Sequence, residues 1–138
     1  IQEGAESAGR SLDDIVISPQ VSVYVTNDIP TARDRERPHI AFYIGGMGVF
    51  YHQYMHRIGF GEESDMIREA YLSRDRERAA SLVTDKMVDE MTIIGNPDQC
   101  REQMQKYFES GVDEIRLVLN EPDAESYVAT MEALAPNS

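Results

Sequence analysis

The chain has 138 residues, of which 41% are hydrophobic and 28% charged, as in one ordinary globular domain with a core of its own. Its net charge of −12 disfavours nucleic acid and anionic membrane surfaces as partners, because both are negatively charged. No apolar run approaches the ~20 residues that span a bilayer. One cysteine, Cys100, allows no internal disulfide, so we expect a cytoplasmic protein.

The first strand is predicted at about residues 20–26, after a short helix that ends near Gly9. Its basis is a period of two, in which three valines alternate with more polar residues: Val21, Val23 and Val25 against Ser22, Tyr24 and Thr26. A helix over about 30–44 follows, with Asp28 as its N-cap. We expect Pro38 to interrupt or kink this helix, because proline removes a backbone donor and crowds the preceding turn.

Helices dominate the rest of the chain. After a break at Gly45-Gly46 they are predicted at about 49–58, 62–72, 75–83 and 85–91, and Ile93–Gly95 is interpreted as a brief extended link. The next helix has Asn96 as its cap and Pro97 at its first position, and its apolar face carries Cys100, Met104, Tyr107 and Phe108. A buried strand at about 114–119 and a helix at about 124–134 complete the order.

This order predicts an α/β fold, mostly helical, with two parallel strands joined by a right-handed connection. Two parallel strands make a poor sheet by themselves, because parallel strands are normally flanked by others and covered on both faces. A (β/α)8 barrel takes ~250 residues. We therefore interpret residues 1–138 as a single segment, the C-terminal portion of such a barrel, and expect the chain, which begins with Ile1, to be a fragment of a longer protein.

An ordered set of short motifs resembles the luciferase-like oxidoreductases, and most of all their deazaflavin-dependent branch. The motifs extend over nearly the whole chain: Gly9-Arg10, Ala32-Arg33, Arg37-Pro38, Tyr43–Gly48, Gly59-Phe60, Val88-Asp89, Ile94–Pro97 and Gly111-Val112. The resemblance implies a (β/α)8 barrel that binds FMN or coenzyme F-420, a deazaflavin, at the carboxyl ends of its strands. It implies hydride transfer as the chemistry, or monooxygenation in the FMN members.

By this resemblance, residues 15–26 correspond to barrel strand seven, 114–119 to strand eight, and about 44–95 to a helical insertion over the mouth of the barrel. The family makes most of its cofactor contacts in the earlier part of the barrel. The chain would thus supply barrel closure and a pocket wall, and we expect it to bind neither cofactor alone. The implied partners are the N-terminal portion of the barrel, a small-molecule substrate and, through uncovered surfaces, a second copy.

Four residues near the implied mouth are candidates for the wall of a cofactor or substrate pocket: Tyr43, Gly45, Gly46 and Tyr51. Glycine lets a ligand approach the backbone closely, and tyrosine combines a packing surface with a hydrogen-bonding hydroxyl. The alternatives are that the glycines only end a helix and that the tyrosines only pack helices together.

Charged residues and histidines give weaker candidates. Arg37 lies one helical turn after Arg33, so the two could hold a phosphate, or they could pair with neighbouring acids on an exposed helix. His52 and His56 are four residues apart and could face one metal ion, but no His-Glu-x-x-His pattern or cysteine pair accompanies them. We therefore predict solvated histidines and no metal site.

A second class of function also fits the sequence. The chain is acidic, mostly helical in prediction, and has no complete catalytic set of residues. A non-catalytic helical module for interaction or oligomerisation is therefore the alternative to an oxidoreductase segment.

Overall fold

The structure, a computed structural model, describes residues 1–135. Its centre is a parallel sheet of three strands, in which β1 (Gln20–Val25) lies between β2 (Thr92–Gly95) and β3 (Arg116–Leu119). Val23 of β1 pairs with Ile93 on one side and with Leu119 on the other. The predicted α/β class and parallel pairing are confirmed.

Strand β2 is the element that the sequence analysis missed, since Ile93–Gly95 was interpreted as a link. All four residues of β2 are buried. Four residues are too few to show a period of two, and a short apolar run does not distinguish a strand from a connection. The sheet therefore has three strands in the described part of the chain instead of two.

In the described residues, eight α-helices surround the sheet. They are α1 (Gln2–Ser7), α2 (Ile29–Gly46), α3 (Phe50–Arg57), α4 (Gly61–Leu72), α5 (Arg76–Ser81), α6 (Asp85–Met91), α7 (Pro97–Glu109) and α8 (Ala124–Leu134), with a 3-10 turn at Leu12–Asp14 between α1 and β1. Five of them begin at a side chain that accepts a backbone N–H: Asp28, Asp75, Thr84, Asn96 and Asp123. None of the helices in residues 1–135 is both long and apolar enough to cross a membrane.

Helix α2 differs from its prediction at two points. It continues through Pro38, and it includes Gly45 and Gly46. Met47 is its C-cap, and Gly48 follows with a φ of 86°. Pro38 lies on the exposed side of the helix, where water can bond the carbonyl that the proline leaves unpaired. Of the two outcomes predicted at Pro38, an interruption is therefore wrong, and the helix ends two residues later than the predicted end at residue 44.

The helices form two layers on opposite faces of the sheet. The chain crosses from β1 to β2 in one direction and from β2 to β3 in the other, so right-handed connections place their helices on opposite faces. Tyr24 and Ile94 pack against α2 and α4–α6, while Val23 and Ile93 pack with Cys100 of α7. The predicted core position of Cys100 is confirmed.

Helices α2 and α4 approach each other closely at Gly45. A Cβ atom at Gly45 would lie 2.3 Å from both Cβ and Cγ of Tyr71, and one at Gly46 would lie 2.9 Å from Cε1 of the same ring. Real Cβ atoms do not come this close, so the Tyr71 ring lies where only glycine leaves room. The two glycines thus serve the packing of α2 on α4.

We expect Gly45→Ala to destabilise the fold by about 1–3 kcal/mol, because the added methyl must displace Tyr71 near its backbone attachment. Gly4→Ala is the matched control, since Gly4 is also helical and a Cβ there meets nothing within 4 Å. It should be neutral or stabilising by up to about 1 kcal/mol. Urea unfolding of both variants measures this, and equal stabilities would contradict the assigned contact.

The thiol of Cys100 is fully buried, and burial raises its pKa to about 11. The ordinary pKa of the thiol is 9.0, so the rise lowers the ionised fraction at neutral pH about 100-fold. Only the ionised form, the thiolate, is the nucleophile. We expect a thiol reagent to label the native chain at least about 100-fold more slowly than the urea-unfolded chain, with the gap closing as pH approaches 11. Rapid labelling of the native chain would show that α7 does not cover the sheet as described.

Candidate functional site

A cavity of about 290 Å³ lies between the sheet and helices α2 and α3. The sheet contributes polar residues of β1, and the helices contribute a carboxylate, an imidazole and two tyrosines. The residues that matter for its chemistry are Gln20, Ser22, Glu36, His39, Tyr43 and Tyr51. The cavity therefore combines an apolar wall with a few convergent polar groups, as small-molecule sites do.

Glu36 is the charged group at the centre of this site, and it is only 4% exposed. One of its carboxylate oxygens accepts a hydrogen bond of 2.7 Å from the Tyr24 hydroxyl, and the other lies 2.9 Å from Nδ1 of His39. When Glu36 is a carboxylate, its oxygen only accepts, so Nδ1–H of His39 donates in this pair. Glu36 is thus a buried acceptor held in place by donors from β1 and α2.

Tyr24 is a fixed donor toward Glu36. Burial, followed by the hydrogen bond and the charge of Glu36, raises the pKa of Tyr24 well above its ordinary value. The amide of Asn120, just after β3, donates to the Tyr24 hydroxyl oxygen at 3.3 Å. The hydroxyl therefore keeps its proton, and β1, α2 and the end of β3 are joined through it.

An aromatic wall closes one side of the cavity. The rings of Tyr43 and Tyr51 meet edge to face at 4.7 Å, and the imidazole of His39 meets Tyr43 in the same way at 4.8 Å. Such pairs stabilise each other and hold the rings in defined orientations. The structure thus brings Tyr43 and Tyr51, two of the residues singled out from the sequence, to one cavity.

Glu36 and His39 are the site residues that the sequence analysis missed. The alternation of acids and arginines around Glu36 suggested an exposed helix with local pairing. A signal was nevertheless present, because Glu36 lies four residues after Ala32 and four before Ile40, both of which are buried. A charged residue on the apolar stripe of a helix indicates a buried polar contact.

The other predicted wall residues lie elsewhere in residues 1–135. Gly45 and Gly46 face Tyr71 of α4, as described above. Arg37 bonds to Asp34 at 3.0 Å, to the carbonyl of Val83 and to the carboxylate of Asp85. Its guanidinium is thus engaged at the contact between α2 and α6.

Arg33, the other half of the predicted phosphate clamp, is held in the same cluster. It donates to Asp85 at 2.9 Å and to the two carboxylate oxygens of Asp89 at 2.9 and 2.7 Å. The pKa of Arg33 is raised, mainly by the hydrogen bond that it donates to Asp89. The charges of Asp89 and Asp85 add to this effect. The two arginines therefore join α2 to α6, and neither is available in this arrangement for a phosphate.

Two other features with chemical potential lie outside the cavity. An open groove of about 650 Å³ runs along the outer edge of β2, where Lys86 and Lys106 are mixed with Asp89 and Glu90. It has no buried carboxylate comparable to Glu36, so we regard the cavity as the stronger candidate. On α3 and α4, His52 and His56 both approach Asp65.

The comparisons with known proteins agree on one family. The sequence model of the luciferase-like monooxygenase family matches residues 1–114. A Mycobacterium tuberculosis protein named as a coenzyme F-420-dependent oxidoreductase is 31% identical over 109 residues, which are 76% of this chain and 31% of that protein. The 5,10-methylenetetrahydromethanopterin reductase of Methanopyrus kandleri is 28% identical over 116 residues, or 83% of this chain and 32% of the reductase.

A solved structure gives the same result. The coenzyme F-420-dependent tetrahydromethanopterin reductase from Methanopyrus kandleri superposes with a TM-score of 0.66 and 26% identity, over 94% of this chain and 37% of that one. The chain thus spans about a third of the length of the curated relatives it matches. The resemblance inferred from the motifs is confirmed, and the chain belongs to the luciferase-like monooxygenase family.

Proposed function

We propose that the chain is the C-terminal portion of an F-420-dependent oxidoreductase and that it supplies barrel closure and one wall of the substrate pocket. The observation that carries the proposal is the match to the F-420-dependent reductase, which includes 94% of this chain but only 37% of the reductase. The relative from Mycobacterium tuberculosis bears a name with the same coenzyme. The alternative coenzyme is FMN, which the family resemblance also implies.

Uncovered apolar side chains support the idea that further protein packs on this portion. Four of them lie between the end of α2 and the middle of α3, with exposures of 45–78%: Met47, Val49, Phe50 and Tyr54. Contiguous exposed apolar residues of this kind mark contact surfaces. We assign this surface to the remainder of the barrel, and self-association of the chain would cover the same residues.

The cavity does not fit a whole deazaflavin or flavin coenzyme. At about 290 Å³ it lies at the lower end of the range for ligand pockets, and these coenzymes are large and carry phosphate. An anionic phosphate would meet the Glu36 carboxylate, while Arg33 and Arg37 are already paired. The coenzyme's anionic part therefore belongs to the remainder of the protein.

The cavity fits part of a substrate instead. Tyr43 and Tyr51 offer ring edges and faces to a planar or apolar group, and Glu36 offers an acceptor to an N–H or O–H group. Gln20 and Ser22 of β1 add further hydrogen-bonding groups to the opposite wall. We thus assign to this chain the binding and orientation of one substrate group.

Coenzyme titration tests the proposal. In a titration monitored by coenzyme fluorescence, we expect the full-length protein to bind F-420. We expect the 138-residue chain to bind neither F-420 nor FMN, because its own cavity is too small. Preference of the full-length protein for FMN would overturn the choice of coenzyme. If the full-length protein ignores both, the oxidoreductase proposal fails and the helical interaction module becomes the better explanation.

The assignment of the cavity to substrate makes a separate prediction. In the full-length protein, we expect Tyr43→Ala and Tyr51→Ala to leave the dissociation constant for F-420 unchanged within about 2-fold, while reducing turnover, because only substrate meets the aromatic wall. Tyr127→Ala is the control, as it removes an exposed tyrosine of α8 that does not line the cavity. A large loss of F-420 affinity in the first two variants would place the coenzyme, and not the substrate, at this wall.

A further inference from the structure

We infer that His52, His56 and Asp65 form a binding site for one divalent transition-metal ion of the Zn²⁺ type. The two histidines lie on one side of α3, and the aspartate lies in the second turn of α4. The ligand atoms of the three side chains are all within 4.8 Å of one another. The sequence alone predicted no metal site, because the third ligand comes from the following helix.

The distances suit a single small cation. Nε2 of His52 lies 3.3 Å from Oδ1 of Asp65, and Nε2 of His56 lies 3.0 Å from the same oxygen. In a tetrahedral site with bonds of about 2.0–2.1 Å, neighbouring ligand atoms are separated by roughly 3.3 Å. An ion can therefore be bound with small side-chain rotations.

Nε2 of His52 faces Asp65, while Nδ1 lies 2.8 Å from the Ser64 hydroxyl, which can accept from Nδ1–H. In that tautomer of the neutral imidazole, Nε2 carries a lone pair and points at a carboxylate oxygen. Two acceptors 3.3 Å apart repel each other unless a cation lies between them.

Ser64 provides the outer support that metal-bound histidines usually have. A ligating imidazole commonly donates its other N–H to an oxygen, which fixes the ring and its tautomer. Ser64 is fully buried, and its hydroxyl has this role toward His52. The arrangement thus extends beyond three surface side chains that happen to be close.

Gly61 leaves the room that His56 occupies. A Cβ atom at Gly61 would lie 2.7 Å from Nδ1 of His56, so any larger residue at the start of α4 would push the imidazole away. The turn before it uses Gly59 at a φ of 91°, a conformation that favours glycine. The hairpin between α3 and α4 therefore presents both imidazoles to Asp65.

The donor set determines the class of ion. Two imidazole nitrogens and one carboxylate oxygen suit Zn²⁺ and similar borderline ions, whereas Mg²⁺ and Ca²⁺ prefer oxygen alone. Asp65 and His56 are exposed enough to be reached from solvent, and Glu62 and Glu63 border the adjacent depression. Three protein ligands leave a fourth position for water or one of these carboxylates.

Zinc titration of the chain tests the site. We expect one equivalent of Zn²⁺ to bind, with a rise in thermal stability, and no comparable binding of Mg²⁺. His52→Ala and His56→Ala should each abolish the one-equivalent binding, and Ser64→Ala should weaken it about 10–100-fold through the loss of outer support. His39→Ala is the control, because His39 is the third histidine of the chain and lies at the separate cavity, so its loss should leave zinc affinity unchanged.

Two further measurements keep the test decisive. Asp65→Asn preserves the size of an exposed side chain, so it should fold normally and still lose zinc affinity. Co²⁺ bound in place of Zn²⁺ should give the visible absorption typical of a tetrahedral nitrogen and oxygen site in the unaltered chain but not in Asp65→Asn. Absence of binding at millimolar zinc, or one-equivalent binding that survives in the His52→Ala, His56→Ala double variant, would overturn the inference.

Discussion

The hydrogen bond from the Tyr24 hydroxyl to the Glu36 carboxylate is the contact on which the helical layer depends. A buried carboxylate is costly unless it is hydrogen-bonded, so α2 must turn the side of Glu36 toward the sheet. This orientation directs Ile40 and Ile44 into the core and brings Gly45 against Tyr71 of α4. It also places His39 and Tyr43 at the rim of the cavity. One polar contact thus sets both the packing of the layer and the composition of the candidate site.

The two faces of β1 have different roles. Val21 and Val23 complete an ordinary apolar core with α7, while Ser22 and Tyr24 face the helices that enclose the cavity. The cavity contacts β1 at Gln20 and Ser22, so it lies beside the first half of the strand and not at the carboxyl ends, where parallel α/β proteins usually build their sites. The arginines of α2 are paired with the acids of α6, which leaves Glu36 as the charged group that faces the cavity.

Local signals in the sequence were sufficient for most of the fold. Side-chain caps such as Asp28 and Asn96, and the alternation along β1, act within a few residues and could be recognised without a structure. Tyr43 and Tyr51 could be singled out because aromatic residues cluster near a helix break, and both line the cavity. The elements that could not be predicted depend on contacts between distant segments: β2 is a strand only because β1 lies beside it, and Asp65 is a partner of His52 only because of the turn between α3 and α4. Glu36 is the intermediate case, since its place on an apolar stripe was visible but its partner Tyr24 was not.

The central position of β1 has a consequence for how the chain folds. Ser22 pairs with Thr92 on one side and with Val118 on the other, so within residues 1–135 both neighbours of β1 follow it at a long distance along the chain. Contacts between such distant residues form slowly, because a long loop must close before they contribute. The helical hairpins between the strands involve near neighbours and can form earlier. Within residues 1–135, α2 and its hydrogen bond at Glu36 therefore cover β1 before its two partner strands assemble beside it.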